Sequence, residues 1–282
     1  MKIKALFSIA LMTLGATMLH AATVTRNVPV DGTINALVTS ASIDVVYTVS
    51  PGAVKVSVTG PDNLVPMVQV VKKGQTLNIG VQKPKDVKKL NLKGLKVTVN
   101  GPVVYAVKAY TSSDIKFTNA LNVSNKLLKL YADTSADIEI PEVSSTGTVL
   151  IDSDTSADIK IKSIRADKLS ISTDKSADVE INTVNATTLN LDSDTGGDIK
   201  LGTVSAGIVG AKADTGADIE IATLTTRILD ARADTGADIK IRNGRADKIK
   251  AHADTGADIN LKGLSHGEIE KTKDTGGAVK TK

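Results

Sequence analysis

The 282-residue sequence contains no cysteine, so neither a disulfide framework nor thiol redox chemistry can support its fold or its function. Aromatic residues are almost as scarce, with two phenylalanines, four tyrosines and no tryptophan. Compact domains normally use aromatic side chains to fill irregular interior space. The scarcity of aromatic residues therefore favours a core of regularly stacked aliphatic side chains.

Neither sign of charge dominates the sequence. The 35 basic and 31 acidic side chains give a net charge of +4, and the two signs are interspersed along the chain. A nucleic-acid-binding protein concentrates its basic residues on one face or in one stripe. We therefore expect no nucleic-acid partner.

Residues 1–21 have the pattern of a secretory signal peptide. Lys2 and Lys4 precede an apolar run from Ala5 to Leu19, and cleavage is expected near Ala21. The alternative is a transmembrane anchor, but the apolar run is shorter than the roughly 20 residues that span a bilayer. No later stretch is apolar enough to span a membrane. We therefore expect an exported protein, in the periplasm, associated with the outer membrane or at the extracellular surface.

A motif with two aspartates recurs through the second half of the chain. It begins as Ala132-Asp-Thr-Ser-Ala-Asp-Ile138 and later becomes Ala213-Asp-Thr-Gly-Ala-Asp-Ile219. A fixed period of about 20 residues indicates a solenoid. The leading aspartates form the first Asp ladder: Asp154, Asp174, Asp194, Asp214, Asp234, Asp254 and Asp274. The trailing aspartates form the second Asp ladder: Asp158, Asp178, Asp198, Asp218, Asp238 and Asp258.

Apolar residues follow the same period and form five columns. The first two columns are two residues apart, which is the spacing of one face of a β-strand. The segments are too short and too β-branched for a helical solenoid, and no proline follows Pro141 to interrupt strand pairing. The columns are Ile159 to Ile259, Ile161 to Leu261, Ile164 to Leu264 with Gly244 as an interruption, Leu169 to Ile249, and Ile171 to Ala251. The sequence therefore predicts an all-β fold, a single-chain parallel β-helix with about 20 residues per rung.

A charged column between the first two apolar columns predicts how the rungs stack. Like charges repel when they are aligned on neighbouring strands, so an aligned column should alternate in sign. The column reads Glu139, Lys160, Glu180, Lys200, Glu220, Lys240 and Asn260. Its alternation predicts rungs stacked in register, at about 4.8 Å per rung. We expect the helix to be right-handed, as the commoner form.

The region before residue 109 lacks the period. It contains alternating patterns such as Val54-Lys-Val-Ser-Val58 and proline-bearing turns, which indicate irregular β structure. A solenoid needs such a cap, because an open rung offers unpaired strand edges to other chains. We therefore divide the chain into a signal peptide at 1–21, an N-terminal β-rich capping region at 22–108 and the parallel β-helix at 109–282.

These features together resemble a known family, the auto-transporter adhesin head GIN domain. The resemblance lies in Ser112-Ser-Asp-Ile115, in the Asp-Thr-Ser/Gly-Ala-Asp-Ile series and in the lead-in Val97-Thr-Val-Asn-Gly-Pro102 that runs into Val107. The signal peptide and the N-terminal β segment are similar to those of the family as well. The resemblance implies a β-helical fold and a role in adhesion at the bacterial surface. It supplies no catalytic residues.

The two Asp ladders have two interpretations. Stacked carboxylates about 5 Å apart could bind calcium, as in other aspartate-bearing β-helix repeats. Aspartate before threonine, serine or glycine is also a common turn former, because its side chain accepts hydrogen bonds from nearby backbone N–H groups. We favour the turn interpretation and assign no metal, cofactor or catalytic site, with calcium as the alternative.

Glycans and matrix proteins are the partners expected of an adhesin, and a threonine-rich edge is the first surface to test for such binding. We favour the interpretation of these residues as hydrogen-bonded turn threonines, with binding as the alternative. The only rings near the repeat are Tyr105, Tyr110 and Tyr131, so sugar binding would rely mainly on polar groups. The edge comprises Thr155, Thr195, Thr215, Thr235, Thr255 and Thr275.

Three functions follow from these observations. We expect a non-catalytic, adhesin-like surface or envelope interaction protein. A purely structural envelope protein is the first alternative. A polysaccharide-cleaving enzyme is the second, but the rungs from Asp154 to Asp274 contain no insertion that could build a cleft. His252 and His266 lack a partnered nucleophile and are interpreted as surface substitutions.

Overall fold

A computed structural model describes residues 22–82 and 91–281. The predicted signal peptide at 1–21 lies outside the described residues. None of the helical segments in the described ranges is long and apolar enough to cross a membrane. The strands are β1 Thr23–Pro29, β2 Ala36–Thr39, β3 Val45–Val49, β4 Lys55–Pro61, β5 Val68–Lys73, β6 Thr76–Val81, β7 Lys96–Gly101, β8 Ala106–Tyr110, β9 Asp114–Phe117, β10 Leu121–Val123, β11 Leu128–Asp133, β12 Asp137–Ser145, β13 Thr148–Asp154, β14 Asp158–Thr173, β15 Asp178–Ser193, β16 Asp198–Ala213, β17 Asp218–Ala233, β18 Asp238–Ala253, β19 Asp258–Asn260, β20 Leu264–Lys273 and β21 Ala278–Lys280. One 3₁₀ turn, Val65–Met67, precedes β5.

These strands form a β-solenoid of about 9 turns, spaced about 20 residues apart, which confirms the predicted fold class. From β14 to β18 each strand pairs in parallel with the next, and every paired residue faces the residue 20 positions later. The pairing of β14 with β15 omits Lys162 and Asp167, and these two positions divide the paired residues into three segments. Each segment forms one side of the rung. A four-residue turn then leads into the next rung.

The core is built from the predicted apolar columns. Every apolar residue in the five columns is buried, and the exposed fraction of Ile159, Ile219 and Ile239 does not exceed 1%. The interruption at Gly244 has a local cause. Gly244 has a φ of 120°, and a Cβ at this position would overlap the carbonyl oxygen of Leu224 in the rung above.

Parallel stacking begins earlier in the chain than the sequence indicates. β2 lies between β6 and β8, and β3 lies between β7 and β9, with all four pairings parallel. The rung of β2 and β3 is therefore second in space although it is first in sequence. The chain leaves after β3, builds an outer rung from β6 and β7, and returns at β8. Because of this excursion, the 20-residue period is absent, and the predicted boundary between residues 108 and 109 falls inside β8.

Antiparallel strands cover the outer rung. β5 pairs with β6, β4 pairs with β7, and β1 pairs with β4, so the strand edges of the outer rung are paired. Aromatic packing supports the same end. The buried ring of Tyr47 lies 5.0 Å from the ring of Phe117. Its hydroxyl donates a hydrogen bond of 2.6 Å to the carbonyl of Pro102, and burial raises the pKa of the phenol above its ordinary range.

The opposite end of the solenoid is polar. Ala251 and Ala253 are buried in β18, but their partners one rung later, Lys271 and Lys273, are exposed. Charged residues at positions that elsewhere point inward discourage the pairing of a strand edge with another chain. The last described rung therefore differs in chemistry from the rungs above it.

The alternating charge column is stacked in register, as predicted. Glu139 faces Lys160, and the pairing continues through Glu220 and Lys240 to Asn260. The structure extends the column upwards, because Lys116 faces Glu139 and its Nζ lies 2.7 Å from the carboxylate.

Reversing the sign of one residue in this column tests the stacking. Lys200→Glu would align three glutamates, since Glu180 and Glu220 are its partners in the adjoining rungs. We expect the free energy of unfolding to fall by about 1 kcal/mol. The loss should shrink at high salt, because exposed charges are screened. Thermal denaturation at low and high salt measures both effects. Lys200→Gln is the control, and equal salt dependence in the two variants would contradict stacked charges.

Candidate functional site

The turns that close each rung lie above one another and form one continuous edge, the turn corner. It consists of residues 154–157, 174–177, 194–197, 214–217, 234–237, 254–257 and 274–277. In a representative turn the backbone N–H of Ala237 donates to the carbonyl of Asp234 at 3.0 Å. Both central residues have positive φ, 51° at Thr235 and 71° at Gly236, as in a type I′ turn.

Hydrogen bonds hold each turn internally and to the next turn. The Asp234 carboxylate accepts the backbone N–H of Thr235 at 2.7 Å. The backbone N–H of Gly236 donates to the carbonyl of Thr255 in the following rung at 3.0 Å. The same carboxylate bond recurs at Asp194, Asp214 and Asp254. The first Asp ladder therefore has a clear structural role in fixing the turns.

The corner threonines occupy a backbone conformation that disfavours them. Left-handed φ is unusual for β-branched residues, whereas asparagine is enriched there. Hydroxyl bonds to the preceding aspartate, such as 2.9 Å from Thr155 to Asp154, offset only part of this cost. The φ values are 51° at Thr155, 48° at Thr195, 49° at Thr215, 51° at Thr235, 40° at Thr255 and 37° at Thr275. The last five are exposed, so the corner presents a row of threonine side chains to solvent.

The second Asp ladder lies beside the turn corner and is partly neutralised by the charge column. The Nζ of Lys160 lies 3.2 Å from Asp158, and that of Lys200 lies 2.9 Å from Asp198. Burial, and then the neighbouring carboxylates of Asp198 and Asp238, raise the pKa of Asp218. Carboxylates in this ladder therefore repel one another at neutral pH.

A groove at the N-terminal end contains residues that sequence analysis missed. It has a volume of about 560 Å³ and is lined by residues of β3, β7, β9 and β12. Asp44, Asp114 and Asp137 continue the second Asp ladder here, and burial, then Asp137 and Asp44, raise the pKa of Asp114. Asp44 went unnoticed because it lies in the non-periodic region. The signal that could have found it is Ser42-Ile-Asp44, a degenerate copy of the motif with positive φ at Ser42.

The tyrosines near the repeat and His252 lie in different surroundings. Tyr110 and Tyr131 pack with ring centroids 5.4 Å apart, whereas Tyr105 lies beneath the Lys126 ammonium at 4.4 Å. His252 lies beside the turn corner, where one of its ring nitrogens, Asp254 and Asp274 offer ligand atoms within 4.8 Å of one another. Sequence analysis named His252 and both aspartates but did not bring them together.

The comparisons with known proteins agree with this geometry. The family model described as "Putative auto-transporter adhesin, head GIN domain" matches residues 34–150 and 122–265, which together span most of the chain. No curated protein matches the sequence.

Solved structures share the fold. A putative adhesin from Parabacteroides merdae has a TM-score of 0.68 at 19% identity, and the match covers 89% of this chain and 95% of that chain. A putative lipid binding protein from Parabacteroides distasonis has a TM-score of 0.66 at 19% identity, with 92% and 96% covered. A putative adhesin from Bacteroides fragilis has a TM-score of 0.54 at 23% identity, with 90% and 98% covered. At these identities the likenesses establish the fold alone.

One substitution tests whether the left-handed backbone of the corner threonines lowers the free energy of unfolding. Thr235→Asn places a residue that tolerates left-handed φ at a position where φ is 51°. We expect a gain of about 1 kcal/mol in the free energy of unfolding, seen as a melting temperature roughly 2–4 °C higher. Thr203→Asn, on an ordinary strand position, is the control and should give no gain. A lower melting temperature for Thr235→Asn would show that the threonine stabilises its turn.

Removing one charge from the second Asp ladder tests its repulsion. The raised pKa of Asp218 means that the ionised form of this side chain lowers the free energy of unfolding. This destabilisation is fully present above the raised pKa. Asp218→Asn should therefore raise the melting temperature at pH 7 by on the order of 1 °C, since exposed charges contribute well under ~1 kcal/mol. The gain should vanish as the pH falls below the ordinary pKa of aspartate, near ~3.9.

The control for this charge removal is Asp167→Asn. Asp167 is exposed on another part of the rung, between Gly147 and Thr187 in the adjoining rungs, so it has no stacked carboxylate. Thermal denaturation of both variants and the parent protein across acidic and neutral pH provides the comparison. A gain at Asp167 equal to that at Asp218 would point to net charge rather than to stacking.

Proposed function

Because the chain belongs to the auto-transporter adhesin head GIN domain family, we propose that it is an exported, non-catalytic adhesin that binds cell-surface glycans or matrix proteins. The family match supports a cell-surface or exported location, and the signal-peptide pattern of residues 1–21 supports export. The proposed locations of the exported protein are the periplasm, the outer membrane and the extracellular surface.

The row of strained threonines on the turn corner carries this proposal. Asparagine before glycine is the preferred pair for a type I′ turn, so turn formation alone does not call for threonine. Strained backbone conformations are concentrated at functional sites. The threonine hydroxyl and methyl groups repeat at the rung spacing of about 4.8 Å and face solvent. Such a row can contact a repeating polymer through many weak, similar contacts, as an adhesin requires.

The regularity of the rungs supports a non-catalytic role. Between β14 and β18 the register continues without an inserted loop, so no loop walls off a cleft along these rungs. Polymer-cleaving sites need converging acid, base and binding groups in a concave pocket. A uniform convex edge suits binding along a surface better than bond cleavage at one point.

A triple substitution on the turn corner tests the proposal without disturbing the fold. Thr215→Asn, Thr235→Asn and Thr255→Asn together keep the turns but remove three hydroxyl–methyl pairs. We expect the parent protein to bind a defined subset of immobilised glycans and matrix proteins, with and without calcium. The triple variant should lose at least about tenfold in apparent affinity, as multivalent contacts fail together.

A second stacked threonine column gives a matched control. Thr183, Thr203 and Thr223 face one another on a different side of the rung, and Asn243 already continues that column. Their triple asparagine variant should bind like the parent. Loss of binding in this control alone would show that the protein binds through the Thr183 column and not through the turn corner. No binding by the parent would refute the adhesin proposal and favour a structural role in the envelope.

A further inference from the structure

A cluster of possible metal ligands lies near the C-terminal end of the turn corner. His252 is the penultimate residue of β18, Asp254 begins the turn that follows this strand, and Asp274 occupies the same position as Asp254 one rung later. The ligand atoms of these three residues lie within 4.8 Å of one another. His252 and Asp254 are partly exposed and Asp274 is exposed, so an ion could reach them from solvent.

This rung differs from those above it at the position of the histidine. The stacked partners of His252 in the two preceding rungs are Arg232 and Lys212. Both are cations at neutral pH, and a protonated side chain has no lone pair to offer a metal ion, whereas neutral imidazole is a common metal ligand. The change to histidine therefore creates a ligand set at one rung only.

The two carboxylates of the cluster differ from Asp154 in their surroundings. Within the described ranges, neither Asp254 nor Asp274 has a lysine or arginine nitrogen within 4.0 Å. By contrast, Asp154 at the other end of the ladder has the Nζ of Lys175 at 3.0 Å. A bound dication would relieve the repulsion between two neighbouring carboxylates.

A residue outside the cluster orients the histidine. Thr272 is the stacked partner of His252 in the following rung, and its hydroxyl lies 2.7 Å from the Nδ1 of the imidazole. A hydrogen bond to one ring nitrogen holds the imidazole in one orientation, as second-sphere partners do in metal sites. By contrast, the Nδ1 of His266 lies 3.1 Å from the backbone carbonyl oxygen of the adjacent Gly267.

We propose that His252, Asp254 and Asp274 form a binding site for a first-row transition-metal dication of the zinc type. An imidazole nitrogen among the ligands favours zinc, nickel or copper over calcium, which prefers oxygen ligands alone. Tetrahedral zinc separates its ligand atoms by roughly 3.4 Å, so the ligand atoms, which lie within 4.8 Å of one another, need to approach by at most about 1.4 Å, which the exposure of the side chains allows. Three protein ligands leave a coordination position open to water or to a ligand. The site does not depend on the proposed adhesin function.

The untagged full-length protein tests the site directly. Titration with cobalt(II), followed by its visible absorption, reports ligand number and geometry, and zinc should displace the cobalt. His252→Arg restores the residue type of the preceding rung and should keep the fold. We expect this variant to bind at least about tenfold more weakly. Thr272→Val should bind more weakly by a smaller factor and shift the cobalt spectrum.

Two matched controls separate this site from general binding to the corner. His266→Ala removes the other described histidine and should leave the titration unchanged. Asp234→Asn removes an aspartate of the same ladder beside Arg232 and should also have no effect, whereas Asp254→Asn should weaken binding. Absence of zinc or cobalt binding by the parent would overturn the proposal. Binding that survives His252→Arg, or that calcium abolishes by competition, would overturn it as well.

Discussion

Backbone hydrogen bonds between rungs keep each residue above its counterpart, and this fixed register is the constraint on which the structure depends. A side chain that suits one rung must also suit the rungs above and below it. Apolar columns satisfy the requirement because they become the core, and the charge column between the first two apolar columns satisfies it by alternating between lysine and glutamate. The turn corner satisfies it with a four-residue turn whose peptide groups bond both within the turn and to the next turn. Any change in turn length would shift all the columns together.

The repeated part of the fold could be predicted because a fixed period exposes the columns directly. The Ile159 column, its neighbours and the charge column are visible without any structural information. The N-terminal rungs could not be predicted in the same way, since β2 and β3 lie between strands that follow them in sequence. Their order in space depends on the excursion through β4 to β7. A sequence period reveals only those rungs whose order in space is the same as their order in the chain.

The candidate site was predictable in composition but not in conformation. The sequence shows that Asp and Thr recur at the corner, and turn formers such as Asp234 could be recognised from residue type. It does not show the left-handed backbone at Thr235, because glycine is the usual occupant of that conformation and the glycine here follows the threonine. The closeness of His252 to Asp274 depends on one rung lying directly over another. That relation crosses 22 positions of sequence and involves a residue type that occurs at only one rung of its column.

The separation between cap and repeats makes the length of the solenoid adjustable. The antiparallel strands β1, β4 and β5 complete one end by themselves, and each later rung adds only the same parallel interface to the edge already present. Insertion or deletion of two whole threonine-bearing turns would therefore preserve the cap, the apolar columns and the alternation of the charge column. It would change the number of threonines on the corner by two. In such an architecture, the avidity of the proposed binding edge would scale with gene length while the fold stays the same.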